Sequence, residues 1–441
     1  MKKLLCTSIA SLALITAAQA FNMPYFTGYT GILGDITPYS ESPYITMDSE
    51  VFFAGQLDFS GRFLLKGEFY LKTDNLLEDS IFIDSGTNNA NFRIEEVSAM
   101  YTASSASVTH YFNAFLGNFE PIGSDIFLQR HFGIQPITSY ITQSWKGLNG
   151  SSIYNFYGAG ISYTARLESP IAIGIYSYLN AQEEDDGTTT NVFNMDGRFA
   201  CVFPNFSLDA SGGIGLPIGT TVQTTDDAFL VVSTINIHAG MNMFVGNRYS
   251  TCFFMQTGFD DITLSKTEGT EYNTLKFEDW YILLEPRIMF SQFELNISIF
   301  NIPADSLSNM IYLKGLYSSS VTNVLGVNAA FVTDKLYLGN TNFTFGIHGT
   351  LSVTNPLEGF SGEASAFGEF LLSTYITGFL STFQEGLFDL NVTPFVTMPV
   401  FGGELTTAVS VQIFEFINAC ASENHDFSSS AIFTLGFKTK I

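Results

Sequence analysis

Hydrophobic and polar residues alternate with a period of two along much of the chain. In GRFLLKGEFYLK (61–72), Phe63, Leu65, Phe69 and Leu71 share one parity, while Arg62, Lys66, Glu68 and Lys72 share the other. A helix, repeating near 3.6 residues, would scatter these sets, whereas a strand places them on opposite faces. The pattern recurs in SQFELNISIF (291–300), TNFTFGIHGTL (341–351), LFDLNVTPF (387–395) and ELTTAVSVQIF (404–414). It also ends the chain. In AIFTLGFKTKI (431–441), Phe433, Leu435, Phe437 and Ile441 oppose Thr434, Lys438 and Lys440. Each stretch is about ten residues long, enough for a tilted strand to cross a bilayer. Elsewhere the parity blurs, as in LKFEDWYILLEP (275–286).

Two kinds of connector separate these stretches. Long polar ones occupy 73–91, 181–191, 262–273 and 418–429, and short ones occupy 398–403 and Asp334-Lys335. Alternation of long and short connections predicts an all-β, antiparallel up-and-down transmembrane barrel with its long loops at one end. The expected strand number is even, about 14 to 18, with about 16 as the best value. A last strand pairing with the first would leave no open edge in the bilayer. Residues 117–151 break the rhythm with Pro121, Pro136, Arg130, His131 and Trp145. They are a candidate for a segment folded into the lumen, with Arg130, His131 and Trp145 at a constriction; an ordinary surface loop is the other reading.

Composition supports a membrane fold without helical spans. Charged residues make up 14% of the chain, against about 25% in soluble domains, while 46% are hydrophobic and the mean hydropathy is +0.20. After residue 20 no apolar run approaches the ~18 residues of a spanning helix, so the 44 phenylalanines and 20 tyrosines are spread by alternation. Residues 1–20 combine Lys2 and Lys3, an apolar centre and Ala18-Gln19-Ala20, the pattern of a secretory signal peptide. Residues 21–441 are then the barrel. The net charge of −24 argues against a nucleic-acid partner, which needs a basic footprint.

The sequence carries no familiar catalytic or metal-binding pattern. The five histidines are scattered, and Cys201, Cys252 and Cys420 are widely spaced. His425 and Asp426 are neighbours in a long loop, and side chains of adjacent residues point apart. No enzyme, metal or cofactor is expected. Charged groups within alternating strands carry the functional signal. Facing lipid near the bilayer centre, Arg or Lys would cost about 2–4 kcal/mol each, so they face a wet lumen. Asp58, Arg62, Lys66, Glu68, Lys72, His348 and Lys438 are therefore candidate pore-lining residues.

The signal sequence, the alternating segments over 50–441 and the terminal strand together resemble the bacterial outer-membrane β-barrel class, porins in particular. Segment 115–123, FLGNFEPIG, is similar to a Gly-x-Phe-x-x-Pro element of some substrate-selective porins, but has one residue fewer between Phe119 and Pro121. The resemblance implies a location in the cell outer membrane and passive diffusion of small hydrophilic solutes. It implies contact with outer-membrane lipid and a lipopolysaccharide-type surface, assembly by the barrel insertion machinery, and a homo-oligomer as one outcome. It also implies that Phe433, Leu435, Phe437 and Ile441 form a sorting signal. Two other functions stay open: a surface adhesin or structural barrel with a plugged lumen, and a hydrophobic-compound transporter of the FadL-like kind.

Overall fold

The computed structural model describes residues 25–38, 44–59, 61–73, 91–134, 137–139, 141–142, 152–183, 189–218, 234–247, 249–265, 279–307, 310, 312–313, 321–338, 341–354, 388–421, 427 and 430–441. The proposed signal segment and Trp145 lie outside them. The strands are β1 (Tyr25–Pro38), β2 (Ile45–Phe59), β3 (Phe63–Thr73), β4 (Asn91–Ser104), β5 (Val108–Asn118), β6 (Tyr157–Leu167), β7 (Ile171–Glu183), β8 (Thr189–Phe203), β9 (Phe206–Ile218) and β10 (Thr234–Gly246). They continue as β11 (Thr251–Ser265), β12 (Trp280–Met289), β13 (Phe293–Pro303), β14 (Asn323–Thr333), β15 (Leu336–Leu338), β16 (Thr341–Thr354), β17 (Asp389–Val400), β18 (Gly403–Gln412) and β19 (Ala431–Lys440). Three helices are described: α1 (Ile126–Phe132), α2 (Ala304–Leu307) and α3 (Ile413–Ala421).

Successive strands pair antiparallel, except that β14 and β15 both pair with β16, and β19 pairs with β1 from Tyr29↔Lys440 to Ile36↔Phe433. The sheet is therefore closed. Because β14 and β15 pair in succession with the same β16, they form one stave, and the barrel has 18 staves. The even number and the range were expected; the best value of about 16 was one hairpin short. Two turns also differ from expectation. The chain passes Asp334-Lys335 without reversing and turns between Leu338 and Thr341. Residues 418–421 of the last long connector continue helix α3.

Side chains follow the predicted parity. In β3, Lys66, Glu68 and Tyr70 are buried inside, whereas Phe63, Leu65, Phe69 and Leu71 are partly exposed on the outer face. On the outer wall near the short turns, phenylalanines gather in pairs: Phe59 with Phe63, Phe203 with Phe206, and Phe290 with Phe293, at ring separations of 5.9, 6.5 and 4.4 Å. An apolar outer wall edged by aromatic residues matches a hydrocarbon layer meeting water. Closure pairs β1 and β19 on both sides, so among the described residues the seam offers no open edge to that layer.

Candidate functional site

The chain leaves β5 through Gly117, whose φ of +100° suits glycine; an added Cβ there would lie 2.3 Å from the Glu95 carbonyl. Glu120 follows, also at positive φ. From here the chain turns into the barrel instead of away from it. Phe119, Ile122, Phe127, Leu128, Ile141, Tyr154 and Phe156 are almost fully buried. They share one apolar core with inward residues of the wall, including Phe115, Tyr176, Phe254, Tyr281, Leu283, Phe300 and Val324. Where it packs on this segment, the wall is apolar on both faces. A second inward segment follows β13, with Leu307, Met310 and Leu313 in the same core.

Two facing glycines admit the first segment. Gly240 and Gly258 are register partners on β10 and β11. An added Cβ would lie 2.9 Å from Ile122 at Gly240 and 2.7 Å from Ile153 at Gly258. Asp125 fixes the turn beyond α1: its Oδ2 accepts from the backbone N–H groups of Ile137 and Thr138 at 2.6 and 2.7 Å, and from the Thr138 hydroxyl. Burial moves the Asp125 carboxyl above its ordinary value, despite the opposing effect of these donors.

Charged groups tie the segment to the wall, with Glu120 at the centre. Its Oε1 lies 2.7 Å from Arg130 Nη1 and 3.2 Å from His131 Nε2, and its Oε2 accepts from the Tyr176 hydroxyl at 2.6 Å. Arg198 of β8 donates to the Glu120 carbonyl oxygen at 2.5 Å and is held by Asp209 of β9 at 2.6 and 2.8 Å. Arg130 also reaches Glu96 of β4 at 3.4 Å, and Glu96 is paired with Lys66 at 2.6 Å. Burial alone would raise the Glu120 carboxyl; Arg130 first, then His131 and Arg198, reverse that and hold it below the ordinary carboxylate value. Glu120 first, then Glu96, keep Arg130 charged despite its burial. Such a buried network holds a shape because each charge has its counterpart.

The sequence-nominated residues divide into groups. Lys66 and Glu68 lie on the inner wall 2.9 Å apart, and Lys66 joins the charged network through Glu96. Arg130 and His131 meet at Glu120, as an inward segment would place them. His348 is buried on the inner wall, stacked on Tyr312 with ring centroids 4.1 Å apart. Lys438 pairs with Glu404 at 3.1 Å. Asp58 and Arg62 belong elsewhere: Asp58 accepts from the Gly61 N–H at 2.9 Å in the β2–β3 turn, and Arg62 is exposed in that turn. Lys72 lies at the other end of β3, half-buried. Phe433, Leu435, Phe437 and Ile441 all fall on the outer face of the last strand and its end. Sequence reasoning missed Glu120, Tyr176, Arg198 and Asp209; Arg198 and Asp209 were legible as charges inside otherwise apolar strands.

A closed antiparallel barrel with an apolar outer wall and a polar, partly filled interior is the architecture of a porin-like outer-membrane protein. No family model and no curated protein matches the chain. Among solved structures it is similar to OmpF of Salmonella typhi in complex with daunomycin: 10% identity, 95% of this chain and 98% of that one, TM-score 0.39. It is also similar to OccAB3 of Acinetobacter baumannii (9%, 94% and 99%, TM-score 0.48). A third likeness is to the high-pH structure of OprB of Pseudomonas putida (8%, 95% and 94%, TM-score 0.36). These likenesses assign no residue a role, and the class rests on the closure and the two faces of the wall.

Proposed function

We propose that the protein is an outer-membrane channel for passive diffusion of small hydrophilic solutes, narrowed by the inward segment that carries residues 119–134 and 152–156. The observation that carries this reading is the segment braced inside a polar-walled barrel by the Glu120 network. A fixed inward segment sets a size limit, and charges of both signs beside it set a local field. Purified protein in planar bilayers is expected to show discrete conductance steps, with permeation falling as solute size rises. Absence of steps under all ionic conditions overturns the channel reading in favour of a plugged structural barrel. That second reading is favoured by the burial of Tyr70 and His348 on the inner wall.

The outward residues of β19 support its role as a sorting strand. Ile441 extends past the ladder with its N–H donating to the Gly28 carbonyl at 2.8 Å. Ile441→Ser is expected to lower the yield of membrane-inserted, heat-modifiable barrel several-fold. Normal insertion of that variant removes Ile441 from the signal.

A further inference from the structure

Helix α3 does not fit either face of the barrel. β18 carries Leu405, Val409 and Val411 on its outer parity, and the chain enters the helix at Ile413 without a break. Phe414, Phe416 and Ile417 are 46%, 41% and 56% exposed, and Ala419 is the buried residue of the helix. Phe427, beyond the helix, returns to place its ring 5.5 Å from that of Phe416 and is itself exposed. Four large apolar side chains thus form a patch that the described residues leave uncovered.

The height of the patch identifies what covers it. Strand β18 has 10 residues from the short turn to the start of the helix. At ~3.3 Å per residue it is about 33 Å long, and tilted by about 40° it rises about 25 Å, the height of the apolar band of such barrels. The helix therefore begins where hydrocarbon gives way to headgroups, continuous with a wall that faces lipid. Glu415 is exposed too, and at 3.6 residues per turn it lies on the side of the helix opposite Ile417. An apolar side toward lipid and a carboxylate toward the water-filled rim suit a helix lying in the membrane interface.

We propose that α3 with Phe427 is a membrane-interface anchor, its Phe414, Phe416, Ile417 and Phe427 side chains inserted among lipid acyl chains at the long-loop end of the barrel. The anchor fixes the height of that rim. The inference rests on the barrel's membrane location and is independent of whether the lumen conducts.

The test uses nitroxide labels on the full-length protein in phosphatidylcholine vesicles, in a background with Cys6, Cys201, Cys252 and Cys420 replaced by serine. Single cysteines replace Phe416, Ile417 or Glu415, and a fourth replaces Ile297 on the outer wall of β13 as a lipid-facing reference. Heat-modifiable migration confirms folding of each variant. Labels at 416 and 417 should collide with oxygen at least several-fold more effectively than with a polar nickel chelate, approaching the ratio at 297, and the label at 415 should show the reverse preference. High chelate access at 416 and 417, with lipid-like values at 297, overturns the anchor while leaving the barrel in the membrane. Low access to both reagents at 416 and 417 also overturns it, since the patch is then covered by protein. A polar value at 297 points instead to failure of the membrane reading itself.

Discussion

Glu120→Ala is expected to lower the stability of the folded barrel by about 3–5 kcal/mol, the usual cost of removing one partner from a buried charge network. The size follows from what remains. Arg130 loses its 2.7 Å partner and keeps only Glu96 at 3.4 Å, His131 loses its carboxylate, and the Tyr176 hydroxyl loses its acceptor. Arg198 is less affected, because it is held by Asp209 and by the backbone oxygen of residue 120, which the substitution keeps. Glu120→Gln retains an acceptor and should cost less. Urea unfolding of the barrel in vesicles measures the loss, and single-channel recording should show larger or noisier steps if the segment has left the wall. An unchanged midpoint together with unchanged conductance refutes the central role of Glu120. The pH dependence has a definite sign. A carboxyl whose folded pKa lies below its unfolded value of about 4.3 stabilises the fold above that pH, and the stabilisation is lost as pH falls through the folded value. The wild-type barrel should therefore keep the network at pH 5 and lose it only in stronger acid, whereas Glu120→Gln should lack that acid-dependent loss.

Gly258→Val carries the second large effect. A Cβ at this position would sit 2.4 Å from the Ala239 carbonyl oxygen, 2.6 Å from the Gly240 Cα and 2.7 Å from Ile153. Two of these three neighbours are backbone, so relief requires β10 to move or the inward segment to withdraw. Overpacking of this kind costs about 1–3 kcal/mol, and the β-branched side chain pushes toward the upper end. Gly349→Ala on the outer parity of β16 is the control, since the nearest atom to its Cβ would be 4.0 Å away. That change should stay within about 0.5 kcal/mol. Equal urea midpoints for the Gly258 and Gly349 variants would show that the inner wall yields without cost. They would also remove the pair of glycines as the reason the segment fits.

The sequence made the wall legible where one face meets lipid and the other meets water or polar groups. β3, β16 and β18 show clean alternation because Lys66, His348 and Ser410 on the inner parity contrast with Leu65, Ile347 and Val409 outside. β12 blurred for a physical reason. Its inner parity carries Tyr281 and Leu283, which pack on the inward segment, so both faces are apolar and period two disappears. Loss of alternation in a barrel strand thus signals a filled interior beside it, and β12 could have been read that way. The break in rhythm at 117–151 was legible, with Arg130 and His131 as its charges, and its described residues such as Phe119, Ile122 and Phe127 pack inside the wall. The partners of those charges were not, because Glu120 lies beside Tyr176 only through pairings that join residues 56 apart in sequence. Asp58 and Arg62 misled because parity alone does not show where a strand ends and its turn begins.

The closing seam has a consequence for the order of folding. Thr434 donates to Asp35 across 399 residues of chain, whereas the other ladders join staves adjacent in sequence. Loop-closure entropy grows only with the logarithm of length, so the seam costs roughly 3 kcal/mol more than a ten-residue hairpin. The larger burden is kinetic. Hairpins can form as soon as their two strands exist, but β1 must wait unpaired on one side until β19 arrives. During that interval both terminal strands offer complete rows of backbone donors and acceptors, and the matching edge of a neighbouring copy can satisfy them equally well. The bond that makes the finished barrel self-sufficient therefore makes the unfinished chain prone to strand exchange, and fast capture of the last strand is what keeps each copy separate.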